Sequence, residues 1–280
     1  MSSDEAAEPA GDGTLSAVES LSFDTSKAHQ ARIYNYALGG KDNYAADRAA
    51  AEAVFKVNPE MAFTARANRA FLGRAVRYLA AEAGIRQFLD IGTGIPAAGN
   101  THEVAQAVAP ESRVIYVDYD PIVLAHARAL LVGNQAGATE YIDADLRDTG
   151  TILGQAGKWL DFAKPTAVTL ISILHAVPDA DDPHAIVARL MDAVASGSFL
   201  AISHVGSDLL SPQAQQGLED VADRMIQQDI TYRTHEQVAR FFEGTDLVDP
   251  GLVRVEEWRP AAGTADAGRS SFWCAVGRKH

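Results

Sequence analysis

From about residue 86 onward, short and nearly unbroken apolar runs alternate with stretches whose apolar residues recur every three or four positions. The runs "RQFLDIG", "RVIYVD", "TEYIDAD", "TAVTLISIL" and "GSFLAISHV" predict five strands. Between them, "AAGNTHEVAQAVAP", "PIVLAHARALLVG", a short segment around 148–156 and "DPHAIVARLMDAVA" predict helices. Pro110 stops the first and Pro121 suits the start of the second. Strands that are apolar throughout and separated by helices predict a parallel sheet covered on both faces. After helices near 211–229 and 235–243, "LVRVEEW" and "SFWCAVGRK" follow with only a Gly/Ala-rich loop between them. They predict an antiparallel pair at the sheet edge.

The part before 85 has a different rhythm. "SKAHQARIYNYALGG", "NYAADRAAAEAVFKV" and "AFTARANRAFLGRAVRYLAAEAG" predict three helices, ended by Gly39-Gly40, Asn58-Pro59 and Gly84. The acidic, small-residue start predicts a disordered tail over 1–20. Three regions result: the tail, a helical extension over 21–84, and an α/β domain over 85–280.

Composition narrows the partners. Hydrophobic residues make up 47% of 280, enough for a sizeable core. The net charge of −13 disfavours phosphate backbones and anionic lipid, so neither nucleic acid nor a membrane surface is an expected partner. No apolar stretch reaches the ~18 residues of a membrane span. The one cysteine, Cys274, lies in the apolar run "SFWCAV" and reads as core; an internal disulfide is excluded, zinc spacing is absent, and a cytoplasmic location fits.

The chemistry gathers at the strand ends. "FLDIGTGIPAAGN" breaks from a strand into a glycine turn. Gly92 and Gly94 permit positive φ and close approach of a ligand to the backbone, and the helix that follows would offer free N–H groups to an anion. "GTGIPA" also fits the loose dinucleotide pattern, so the turn alone leaves the cofactor open. Asp90, Asp118 and Asp145 end three consecutive predicted strands. Parallel strands bring such tips to one crevice, where open α/β sheets bind ligands. Asp120, before Pro121, reads as a helix cap.

These stretches resemble the class I S-adenosylmethionine-dependent methyltransferases: "FLDIGTG", "VIYVDYDP", "DADL" and "LISILHAVPD" are similar to four of their motifs. More narrowly, "ARIYNYALGGKDNYAADR", "LDFAKPTAV" and "ILHAVPDADDP" resemble an actinobacterial branch long carried as a domain of unknown function. The resemblance implies a Rossmann-like, seven-stranded, mostly parallel sheet with an antiparallel C-terminal strand pair. It implies S-adenosylmethionine as cofactor and S-adenosylhomocysteine as product. By position, Gly92 and Gly94 would meet the methionine part, with Asp90 fixing the turn or receiving the amino group. Asp118 would hold the ribose diol. Asp145 would receive the adenine amino group, and Leu146 would give the ring an apolar neighbour. Pro96 departs from the pattern, standing where many such enzymes place glycine or a small residue.

Two further assignments concern the acceptor side. The stretch "YNYALGGKDNYAADR" reads as a lid, with Tyr34, Tyr36 or Tyr44 over the cofactor and Lys41 or Asp42 reaching its amino-acid end. Its plainer reading is a helix stop at Gly39-Gly40 and a cap by Asp42 or Asn43. His175, after the fourth strand, is the candidate general base; His204 is a weaker one and His102 reads as structural. Trp159, Trp258 and Trp273 read as core. The function expected is transfer of a methyl group to an O or N atom of a small molecule, by a monomer or homodimer without a metal. The alternatives are a non-catalytic S-adenosylmethionine sensor and an NAD-dependent oxidoreductase.

Overall fold

Strand β1 (Gln87–Ile91) is buried along its whole length, as its apolar run requires. The computed structural model describes residues 24–130, 136–226, 230–261 and 268–280; the tail expected over 1–20 lies outside them. Around β1 lie β2 (Arg113–Asp118), β3 (Ala138–Asp143), β4 (Ala167–Ile171) and β5 (Phe199–Val205), all parallel, in the order β3-β2-β1-β4-β5. The order reverses between β1 and β4, so a crevice opens beyond their C-terminal ends.

Beyond β5 the sheet turns antiparallel through β8 (Phe272–Lys279), which carries β6 (Thr245–Leu247) and β7 (Val253–Arg254). Among the described residues the sheet therefore has eight strands, against the seven expected. The expected strand "LVRVEEW" shrinks to two residues. Glu257 N donates back to Arg254 O at 2.9 Å and Glu256 accepts from Ser270 N at 3.0 Å, which bends the chain out of the ladder. That bend drops Trp258 into the core, edge-on to Phe71 and Tyr78.

Pleating sends alternate side chains to opposite faces. Leu89 and Ile91 join the cluster that includes Ile152 of α6 (Thr149–Ala156) and Leu190 of α7 (Pro183–Asp192). Phe88 faces the other way, into a cluster with Phe71, Val76 and Leu79 of α3 (Met61–Ala81). Asp90 shares that second face and is thereby aimed at the side where the helical extension packs.

The extension consists of α1 (Gln30–Ala37), α2 (Ala45–Val57) and α3. Gly39 closes α1 at φ +80°, and Gly40 N donates to Asn35 O at 2.9 Å. The start of α2 is capped by neither Asp42 nor Asn43: Asp47 accepts from Tyr44 N at 2.8 Å. Asp47 is wholly buried and also pairs with Arg32 at 2.9 Å, locking α1 to α2. Among the described residues the other α-helices are α4 (Thr101–Val108), α5 (Pro121–Leu130), α8 (Pro212–Val221) and α9 (His235–Ala239). Helix α4 starts at Thr101, later than the sequence suggests, because Pro96 and Gly99, the latter at φ +76°, keep the preceding segment extended and turned.

Candidate active site

The crevice at the β1/β4 reversal is roofed by α1. His29, Gln30, Ala31, Tyr34 and Asn35 line it from above, and Asp90, Gly92, Thr93, Gly94 and Asp118 from below. His29 Nδ1 lies 2.9 Å from Asp120 Oδ2, so the roof is tied to the loop after β2. A smaller pocket adjoins the crevice at Gly92, Asp118 and Tyr119 and is lined further on by Asp145 and Leu146.

The floor is a rigid unit. Gly92 and Gly94 take φ +75° and +62°. Gly92 N donates to Val117 O at 2.8 Å and Gly94 N to Asp118 Oδ2 at 2.9 Å, while Asp118 Oδ1 accepts from Asp120 N at 3.0 Å. A Cβ on Gly92 would overlap the side chain of Ile173. Because α4 begins only at Thr101, its free N–H groups do not directly follow the glycine turn, contrary to expectation.

Asp90 is buried, and its two oxygens accept from Thr101 Oγ1 at 2.6 Å and Thr169 Oγ1 at 2.7 Å. Burial pushes its pKa up, and the same cause raises that of Asp118, with hydrogen bonds opposing. Two desolvated carboxylates facing one cleft favour a ligand that carries positive charge. Arg69 of α3 lies on the same wall. It donates to Ala97 O at 2.8 Å and Asn100 Oδ1 at 2.7 Å through Nη2, and to Ala98 O at 3.3 Å through Nε. Its Nη1 makes no hydrogen bond among the described residues and stays available to an anion. Sequence reading missed Arg69, because an arginine in a helix rich in arginine carries no local signal.

Several expected residues stand elsewhere. Lys41 and Asp42 are exposed and do not line the crevice. The reason is Asn35, whose Oδ1 fills the turn by accepting from Asp42 N at 3.1 Å and Asn43 Nδ2 at 2.9 Å, with the loop's side chains left outside. Tyr34 does line the crevice; its hydroxyl donates to Ala65 O at 3.1 Å and accepts from Asn68 at 2.9 Å, so it is a fixed wall. Tyr36 instead bonds Glu52 at 2.8 Å, away from the cleft. Asp145 lies two residues beyond β3 and is gripped by Arg147 through Nη2 at 2.6 Å and Nε at 2.9 Å. The Arg147 hydrogen bond holds its pKa below the usual carboxylate range. An adenine amino group would have to share this carboxylate with Arg147.

His175 departs most from its expected role. It is 3% exposed and lines the cavity beside the crevice rather than the crevice itself. Its Nε2 meets the side-chain amide of Gln30. Burial, reinforced by the Arg233 guanidinium, lowers its pKa to about 4, so the ring is neutral at physiological pH and a poor proton acceptor. His204 is neutral for the same first cause; its Nε2 is 2.8 Å from Arg233 Nη1 and its Nδ1 2.8 Å from Val205 O. Arg233 also donates to Leu174 O at 3.0 Å and Val177 O at 2.9 Å, which pins the segment after β4. His102 is buried with Nδ1 2.8 Å from Tyr116 OH. Trp159 is exposed, unlike the core role expected of it. Among the described residues no group of His, Cys, Asp and Glu could hold a metal ion, and no helix is long and apolar enough to cross a membrane.

Comparison with known proteins bears on the ligand. The profile of a family described as S-adenosyl methyltransferase matches residues 16–280. A DUF574 family protein from Streptomyces avermitilis MA-4680 is 46% identical, with a TM-score of 0.88 over 92% of this chain and 99% of that one. A protein from Thermobifida fusca YX, provisionally assigned as a methyltransferase, is 40% identical, with a TM-score of 0.83 over 91% and 96%. No curated protein matches the chain.

Proposed function

Because the chain belongs to the S-adenosyl methyltransferase family, we propose that it methylates an oxygen or nitrogen atom of a small molecule, with the cofactor held in the β1/β4 crevice. Family membership selects S-adenosylmethionine over a nicotinamide dinucleotide for the glycine turn. Held by the residues of this crevice, the cofactor would supply an electrophilic methyl carbon on a positively charged sulfur, with S-adenosylhomocysteine as the leaving product.

The observation that carries this placement is the pairing of Asp90 and Asp118, two desolvated carboxylates, with Arg69 on the same wall. A cationic ligand with an amino-acid end meets both signs. In this reading Gly92 and Gly94 let the backbone approach, Asp118 takes the ribose hydroxyls, and Arg69 takes the carboxylate. Asp90 orients the turn through its threonine bonds and attracts the ligand's positive charge. Leu146 and Tyr119 flank the base, and Asp145 offers whatever lone pairs Arg147 leaves. Tyr34 and Gln30 exclude water from above, as a lid does. His175 positions the acceptor by hydrogen bonding and does not carry its proton.

The test is turnover. Full-length protein is incubated with methyl-labelled S-adenosylmethionine and a panel of phenols, alcohols and amines. Label recovered on a small molecule, with S-adenosylhomocysteine formed in equal amount, supports the reading. Label recovered only on added protein or RNA contradicts it.

A further inference from the structure

Beside the cofactor crevice lies a neighbouring cavity of about 90 Å³, walled by α1, α2, α8 and the ends of β5 and β8. Gln30, Tyr34 and Ser172 line both spaces, so the two are neighbours across one thin partition. Ser172, just past β4, holds φ +57°, and its N–H donates to Ser203 Oγ at 3.0 Å and Ser203 O at 3.1 Å. A non-glycine residue in the left-handed region is strained, and such strain collects at functional sites.

The wall chemistry is specific. Ile33, Phe55, Met61, Leu218, Ile230 and Phe272 make it largely apolar. Among the described residues no lysine, arginine, aspartate or glutamate lines it. Yet two buried polar atoms there have no partner among the described residues: Asn58 Nδ2 and His175 Nδ1, on residues 8% and 3% exposed. An orphaned polar group costs about 1–3 kcal/mol, so a well-formed interior rarely keeps two in one cavity without use. With the Gln30 amide donating to His175 Nε2, the ring proton sits on Nδ1. Both orphans are then donors, and both call for oxygen lone pairs.

We infer that this cavity takes the methyl acceptor, and that the acceptor is an uncharged, largely apolar molecule whose oxygen atoms meet Asn58 Nδ2 and His175 Nδ1. The inference rests on the neighbouring crevice being the cofactor site. The reacting atom lies at the partition, between Gln30 and Ser172, where the two spaces adjoin. A charged acceptor finds no counter-ion in these walls and would lose its hydration without compensation. Nucleotides, amino acids and peptides are excluded on that ground.

The probe is 2-naphthol, titrated calorimetrically into the full chain with and without saturating S-adenosylhomocysteine, against 6-hydroxy-2-naphthoate as its charged counterpart. Ala37→Phe and Leu218→Phe enlarge two residues that line the cavity and do not line the crevice. The expected result is one 2-naphthol per chain, naphthoate at least tenfold weaker, and naphthol affinity at least tenfold lower in either variant. Retained S-adenosylhomocysteine binding reports that each variant is folded. Equal binding of naphthol and naphthoate, or naphthol binding untouched by a folded variant, overturns the inference while leaving the cofactor site standing. Absence of S-adenosylhomocysteine binding to the unmodified chain removes the cofactor site, and this inference with it.

Discussion

The backbone N–H of Gly94 donates to the Asp118 carboxylate at 2.9 Å. The glycine turn after β1 and the acid at the tip of β2 are thus one unit, although 24 residues separate them. Asp118→Asn keeps an oxygen for this bond and removes the charge. Hydrogen bonds to charged groups exceed neutral ones by about 1 kcal/mol. The protein is expected to fold normally and to bind S-adenosylhomocysteine about five- to tenfold more weakly by calorimetry. Unchanged affinity would place the ribose elsewhere.

Gly92→Ala strains the turn in two ways. The new Cβ sits at φ +75° and overlaps Ile173. Left-handed backbone and overpacking together cost about 2–5 kcal/mol. A lower thermal midpoint and loss of S-adenosylhomocysteine binding are expected. Gly94→Ala, at φ +62° but with only Ala31 Cβ at 4.0 Å, should be milder on both counts.

Arg69 is assigned to the carboxylate of the cofactor. Arg69→Ala removes a charged partner worth about 1.5–3 kcal/mol, so affinity for S-adenosylhomocysteine should fall at least tenfold. Methylthioadenosine has no amino-acid end and should bind wild type and variant alike. If both ligands weaken equally, Arg69 acts only by holding the loop of Ala97, Ala98 and Asn100.

The neutral His175 makes stability depend on pH. Its pKa falls from 6.5 to about 4 on folding, so between those values the unfolded chain binds more protons. The stabilising contribution is complete above about pH 6.5 and shrinks as pH drops, by about 2 kcal/mol at pH 5. His204, also lowered, acts in the same direction; Asp90 and Asp118, both raised, act oppositely. All three remain in His175→Asn. Comparing urea midpoints at pH 7.5 and pH 5 should therefore show a shallower pH dependence in the variant. An unaltered dependence would mean that the ring is charged in the folded protein.

Much of this architecture is legible in the chain because β1, β2, β4 and β5 are buried on both faces and stand out as largely apolar runs, whereas the partly exposed β3 is marked by its place between two helical segments. Their tips carry Asp90, Gly92, Gly94 and Asp118 to one crevice. Strand β6 was invisible, being three residues of polar or exposed character, and the bend that buries Trp258 depends on Glu256 finding Ser270. The placement of side chains from distant elements was equally hidden. Asn35 turns Lys41 and Asp42 outward, Arg147 claims Asp145, and Arg233 helps to keep His175 neutral. Each is a contact between segments whose local patterns say nothing about one another.

The most direct measurement is a calorimetric titration of the full chain with S-adenosylhomocysteine, run beside one with NAD. The expectation is saturable heat at one site per chain for the former, none for the latter, and loss of that heat in Asp118→Ala. A folded protein that gives no heat with S-adenosylhomocysteine, or one whose binding is the same in Asp118→Ala, would contradict it.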